Sequence, residues 1–261
     1  MKRVFITGAS SGLGAALARE YAARGALLGL VARREPVLRE LAASLPGSGG
    51  HQIYAVDVTD HAALAAAAAD FIDHAGGIDV VIANAGISIG TLTGIAEDLP
   101  RFERVVATNL NATVATFMPF IAAMRRQAQA GERGCRLVGI ASVAGIRGLP
   151  GAAAYSASKA AVISYCESLR VEMRRDRIPV VTIAPGYIDT PMTQSNAYPM
   201  PFLMPAGRFA TQAVRAIARG DSYRVLPWQM GVAATVLRAL PNAVFDRLFA
   251  RAPTKPRREA A

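Results

Sequence analysis

Short runs of consecutive apolar residues recur along the chain. Each is followed by a longer stretch in which apolar positions return every three or four residues. The runs are RVFITG from Arg3, ALLGLVAR from Ala26, HQIYAVDV from His51, IDVVIANAG from Ile78, CRLVGIAS from Cys135 and IPVVTIAPG from Ile178. Between them, Gly12 to Arg24, Val37 to Ser44 and the alanine-rich Ala62 to His74 read as helices. Strands that are apolar throughout, joined through helices, belong to a parallel sheet covered on both faces. The pattern predicts a three-layer, doubly wound α/β fold. SYRVLPW, from Ser222, reads as a late edge strand. No repeat or linker interrupts the chain, so residues 1–226 are expected to form one domain. A helical extension should follow over 227–252. The charged, proline-containing end of the chain predicts disorder over 253–261.

Composition narrows the function classes. At 261 residues, with 52% hydrophobic and 18% charged positions, the chain can bury a sizeable core. Its net charge of +10 invites a nucleic-acid reading. The arginines are scattered, however, in groups such as Arg33-Arg34 and Arg125-Arg126, and no interleaved basic and aromatic stripe appears. No nucleic-acid partner is expected. Cys135 and Cys166 lack zinc or redox spacing, and His51, His61 and His74 lack ligand spacing, so no metal is expected. The N-terminus has no signal-peptide core, and no uncharged apolar run reaches the roughly 18 residues a spanning helix needs. These features predict a cytoplasmic protein.

The first run ends in TGASSGLG, with glycines at 8, 12 and 14. Glycines after a first strand let the backbone turn tightly and approach a pyrophosphate, which rests on the positive end of the next helix. The second run ends VARR. Dinucleotide folds that take NAD place an acid there for the ribose 2′-hydroxyl, whereas arginine suits a 2′-phosphate. Arg33 and Arg34 without an acid favour NADP over NAD.

The stretch AYSASKAAV sets Tyr155 and Lys159 four apart, on one face of a helix. A phenol ionises near pH 10, too high for proton exchange near neutrality, and a nearby ammonium lowers that value. Ser142 ends the fifth run, at the strand end where ligands bind in such folds, and can donate to a developing oxyanion. Singly, each has a structural explanation: a core tyrosine, a surface lysine, a turn cap. After a cofactor-type glycine turn, the three together point to carbonyl–alcohol chemistry.

With these motifs in this order, the chain resembles the short-chain dehydrogenase/reductase family from about Val4 to Met192. The family's glycine motif falls at Thr7-Gly8-Ala9-Ser10-Ser11-Gly12-Leu13-Gly14. Its adenine-contacting acid falls at Asp57, beside Val58, and its Asn-Ala-Gly motif at Asn84-Ala85-Gly86. Its mid-helix asparagine falls at Asn109, and its catalytic serine, tyrosine and lysine at Ser142, Tyr155 and Lys159. Its Pro-Gly-x3-Thr segment falls at Pro185-Gly186-Tyr187-Ile188-Asp189-Thr190. The resemblance implies a Rossmann-like fold and a homodimer or homotetramer. It implies hydride transfer from nicotinamide to a small-molecule carbonyl, with Tyr155 delivering the proton and Ser142 polarising the carbonyl. Lys159 would tune the tyrosine and bind ribose, and Asn109 would hold a relay water. Where NADP-dependent members often carry a base in the glycine turn, this chain has Ser11. An NAD-linked alcohol dehydrogenase and a non-catalytic dinucleotide-sensing scaffold are the alternatives. An intact set of catalytic residues argues against the scaffold.

Two further stretches bear on substrate and location. Residues of about 190–210, TPMTQSNAYPMPFLMPAGRFA, bring Met192, Met200 and Met204 beside Tyr198, Phe202 and Leu203. They read as an apolar lid or as loop packing, the lid being preferred. In the extension, Val244, Phe245, Leu248 and Phe249 share one helical face. Such a stripe covers the protein's own core or a subunit contact, or rests on a membrane.

Overall fold

The computed structural model describes residues 1–47, 50–194, 196 and 198–250. The tail expected over 253–261 lies outside these residues, as do Ser195 and Ala197 of the expected lid.

Seven strands form one sheet: β1 (Arg3–Thr7), β2 (Leu27–Ala32), β3 (Gln52–Ala55), β4 (Val80–Ala83), β5 (Arg136–Ile140), β6 (Val180–Pro185) and β9 (Tyr223–Leu226). A separate parallel pair is made by β7 (Ile188–Asp189) and β8 (Met204–Pro205). In the main sheet the order is β3-β2-β1-β4-β5-β6-β9, and every pairing is parallel. The late strand does lie at the edge.

Alternation along each strand divides the core. Val4, Ile6, Leu28 and Leu30 face one side, where they pack with α1 (Gly12–Ala22), α2 (Glu35–Ser44) and α8 (Ala206–Arg219). Phe5 and Val31 face the other, against α3 (His61–Ala75), α5 (Ala112–Gln129) and α6 (Ala153–Glu172). The Phe5 ring meets Phe71 of α3 and Phe120 of α5 at centroid distances of 5.6 and 4.8 Å. Both faces are thus sealed, which is why the strand runs read as continuously apolar.

α5 continues α4 (Leu99–Val106) through a π-helical turn, Ala107–Asn111. Within the stretch Ala96–Gln129, an 18-residue window with mean hydropathy 1.4 is long and apolar enough by composition to cross a membrane. This corrects the expectation that no such run exists: the chain is uncharged between Arg104 and Arg125, with Asn and Thr interspersed. Its Val105, Asn109, Thr113, Thr116, Phe117 and Phe120 are buried in the domain. The sheet order reverses between β1 and β4, and ligands bind beyond the strand ends at such a switch point.

Candidate active site

The turn after β1 is shaped for a close approach. Gly8 and Gly12 have φ of +68° and +53°, left-handed values that disfavour side chains. A Cβ on Gly14 would lie 2.2 Å from the Gly8 carbonyl oxygen, so only glycine lets α1 start against the turn. Ser11, at the head of α1, makes no side-chain cap. The first amides of α1 are therefore not capped by a side chain, as a pyrophosphate cradle requires.

Asn84 braces this turn from β4. Its Nδ2 donates to the carbonyls of Thr7 and Gly8 at 2.9 and 3.2 Å. Thr7 Oγ1 in turn accepts from the amides of Asn84 and Ala85 at 3.1 and 3.2 Å. Asn84 thus shapes the cradle with its side chain, and Thr7, the first residue of the glycine motif, ties that motif to the Asn-Ala-Gly motif through a contact the sequence did not show. Gly86 brings the chain over the catalytic helices: a Cβ there would lie 3.1 Å from Asn109 Oδ1 and 3.4 Å from Lys159 Nζ.

Arg34 Nη2 donates to Ser10 Oγ of the turn at 3.3 Å. Arg33 reaches across to Asp57 at 3.9 Å. Burial would raise the Asp57 carboxyl, but two hydrogen bonds from Thr59 and the Arg33 charge outweigh it and hold it below the ordinary range. Val58, beside it, is buried. The end of β2 is thus basic, and the acids near it are engaged: Asp57 by Thr59 and Glu35 by Arg39.

Ser142, Tyr155, Lys159 and Asn109 come together beyond the ends of β4 and β5. Ser142 caps the short turn Val143–Gly145, accepting from the Ala144 amide at 3.2 Å, and its hydroxyl hydrogen-bonds Tyr155. Burial pushes the Tyr155 phenol up, and the Ser142 hydroxyl pulls it down. Lys159 Nζ sits 5.9 Å from the Tyr155 ring centroid and donates to the Ile140 carbonyl at 2.8 Å. Lys159 is itself buried, and desolvation lowers it to about 8.

Asn109, wholly buried in the π-turn, has its side chain fully engaged. Oδ1 accepts from the Ile87 amide at 2.8 Å, and Nδ2 donates to the Ile87 carbonyl and to Ser158 Oγ, both at 3.0 Å. The side chain clamps the loop after Gly86 to the helix of Tyr155. Ser158 and the Ile140 carbonyl were not legible as partners, because both contacts join residues at least 19 apart in sequence.

The Pro185–Thr190 segment closes the site from β6. A Cβ on Gly12 would meet Thr190 Cβ at 3.4 Å, so the Thr190 turn faces the glycine turn. Ile188 is buried, and its carbonyl accepts from Thr193 Oγ1 at 2.6 Å. Gly186 lies against α9 (Trp228–Ala239): a Cβ there would approach Met230 Cγ to 2.5 Å. Tyr198, in the expected lid, meets the ring of Tyr187 edge-on at 6.3 Å. Burial, then Tyr187 and Tyr155, push the Tyr198 phenol to about 12, which places it in electrostatic reach of the candidate acid. A cleft of about 680 Å³ runs from Ser10–Gly12 along Arg19 to Thr190 and Gly207. It borders the pyrophosphate end of the site and does not include Tyr155.

A glycine cradle at the switch point, with a serine, a tyrosine and a lysine beside it, defines an oxidoreductase that uses a nicotinamide dinucleotide. Comparison with known proteins agrees. Residues 2–199 match the short chain dehydrogenase family model, and the chain belongs to that family. An uncharacterized oxidoreductase of Myxococcus xanthus is 37% identical over 246 residues, covering 94% of this chain and 95% of the relative. An 11-beta-hydroxysteroid dehydrogenase 1A of Arabidopsis thaliana is 34% identical over 76% of this chain and 55% of its own. Among solved structures, a 3-ketoacyl-(acyl-carrier-protein) reductase of Brucella melitensis, complexed with NADH, superposes with a TM-score of 0.79. It is 25% identical over 86% of this chain and 96% of its own. An alcohol dehydrogenase of Thermococcus sibiricus, complexed with 5-hydroxy-NADP, gives 0.74 and 25% over 87% and 96%. The family therefore accounts for NAD(P) and leaves the choice between the two forms to this chain's own residues.

Proposed function

We propose that this enzyme is an NADP(H)-dependent reductase that interconverts a carbonyl and an alcohol on a fairly apolar small molecule. The observation that carries the cofactor choice is the basic end of β2. Arg33 and Arg34 flank the ribose position, and Asp57 is engaged by Thr59. The exposed Arg33–Asp57 pair is worth about 1 kcal/mol or less, so Arg33 can turn to a 2′-phosphate at small cost.

The nicotinamide, when bound, supplies or accepts the hydride. The side chains manage the proton. Tyr155 holds a proton on its phenol oxygen, raised by burial so that it stays protonated at neutral pH, and donates it to the substrate oxygen. Ser142, hydrogen-bonded to that phenol, orients the carbonyl and stabilises the charge developing on it. Lys159 brings a buried positive charge beneath the site and is placed to meet the ribose. Asn109 fixes the loop over Lys159. The Tyr187–Tyr198 pair and the methionines of the 190–210 segment favour an apolar substrate.

Titration with NADPH and with NADH, followed by nucleotide fluorescence, tests the reading. NADPH should bind at least tenfold tighter, about 1.4 kcal/mol, and Arg33→Ala should remove most of that gap. Equal or tighter NADH binding would transfer the assignment to an NAD-linked alcohol dehydrogenase. Absence of binding by either would refute the assignment of the glycine turn to a dinucleotide.

A further inference from the structure

The C-terminal helices, α9 and α10 (Asn242–Phe249), divide their apolar residues between two faces. Met230, Ala234 and Phe245 are buried against the domain. On the other side of α9, Trp228, Val232 and Val236 follow one another at four-residue spacing and remain 68%, 55% and 56% exposed. On α10, Val244 and Leu248 are exposed as well. The stripe read from the sequence is therefore split: Phe245 and Phe249 stack at 4.4 Å beneath, while Val244 and Leu248 point outward.

These helices are held firmly. Arg147, five residues after Ser142, donates to the carbonyls of Arg238 and Leu240, both at 3.0 Å, and to Asn242 Oδ1 at 3.1 Å. Its guanidinium also lies 4.1 Å over the Phe245 ring. The outward apolar residues thus stand on a fixed support. One exposed valine needs no explanation, whereas five large apolar side chains on two consecutive helices do.

Charge identifies what would cover them. Residues 228–237 carry no charge, and charge resumes at Arg238. From 228 to 261 there are six basic residues and two acidic ones. A second copy seated here would bring two such basic segments together. An anionic lipid surface would attract both.

We propose that α9 and α10 dock this protein on an anionic lipid surface. Trp228, Val232, Val236, Val244 and Leu248 enter the headgroup–acyl boundary, while Arg238 and Arg247 meet lipid phosphates. Arg147 ties the docked helices to the loop after Ser142, so the site is held near a reservoir of apolar molecules. The inference does not depend on the cofactor or on the reaction.

Trp228 is the chain's single tryptophan and therefore a built-in reporter. The full chain is mixed with phosphatidylcholine vesicles, with or without about a third phosphatidylserine. Trp228 emission should shift to shorter wavelength, and the protein should sediment with the anionic vesicles. The pair Val232→Glu and Val236→Glu should weaken that binding at least tenfold while leaving the melting temperature unchanged. The proposal is overturned if neither shift nor sedimentation appears, or if the double variant binds as well as the parent. A shift that grows with protein concentration alone, together with a doubled mass by light scattering, overturns it in favour of a second copy.

Discussion

Replacing Lys159 by methionine should alter the pH dependence of stability in a direction that the structure fixes. Burial lowers Lys159 to about 8, from the ordinary 10.5. Below pH 8 the lysine is charged in both the folded and unfolded chains, and the folded state bears the full cost of the buried charge. Between pH 8 and 10.5 the folded chain binds fewer protons than the unfolded one. Stability then rises with pH, by about 1.4 kcal/mol per pH unit. From pH 8 to about 9.5 that amounts to about 2 kcal/mol. Two buried thiols act in the opposite sense. Burial raises Cys135, and raises Cys166 to about 11, so the unfolded chain loses these protons first and stability falls over the same range. The wild-type profile alone mixes the two effects. Lys159→Met keeps both cysteines and removes, with the lysine, its downward pull on Cys166, so the difference between the two proteins reads the lysine together with that coupling. Urea unfolding without cofactor, at several pH values from about 7.5 to 9.5, reads it. The wild type should gain about 2 kcal/mol on the variant across this window. Parallel profiles would show that Lys159 keeps an ordinary pKa, and the reasoning from its burial would fail.

Other expectations follow from single contacts. Tyr155→Phe should leave the melting temperature and nucleotide binding nearly unchanged while reducing turnover of a carbonyl panel by at least a hundredfold, on the order expected for a lost general acid; retained turnover would remove Tyr155 from the chemistry. Asn109→Ala leaves the Ile87 amide and carbonyl and the Ser158 hydroxyl short of a partner. It should cost about 2–4 kcal/mol in chemical denaturation, and a loss under 1 kcal/mol would contradict the clamp. Gly14→Ala must displace the Gly8 carbonyl; nucleotide binding measured by calorimetry should fall at least tenfold, and normal binding would refute the tight turn. Arg147→Met should speed hydrogen exchange across 228–249 and leave β1 to β4 protected, whereas unchanged exchange would mean that the extension is held by other contacts.

The sheet was legible because β1, β2, β4, β5 and β6 are buried on both faces and read as apolar runs, while β3 and β9, at the two edges, are only partly covered. The candidate site residues stood out because a tyrosine, a lysine and a serine at those spacings are costly to place without use. What joins them did not. Lys159 binds a carbonyl on β5, and Asn109 binds a loop beyond β4. Neither tie leaves a periodic trace, since each depends on how distant elements meet. The same holds for the extension, where four apolar residues share one helical face in sequence. Only packing decides that Phe245 turns inward under Arg147 and Leu248 outward.

The π-turn at Ala107–Asn111 has a consequence for how this chain tolerates change. Such a turn holds one residue more than an α-helix would, on weaker geometry. Deleting Leu110 would let the helix close into a regular ladder from Leu99 to Gln129, with its two ends keeping nearly their mutual orientation because the wide turn had absorbed the extra residue. The shortened helix would be a better helix in isolation, and Asn109 would no longer face Ile87. Selection for heat resistance alone could therefore favour that deletion, while selection for turnover would remove it. The irregularity is one point in the chain where robustness and work select opposite alleles.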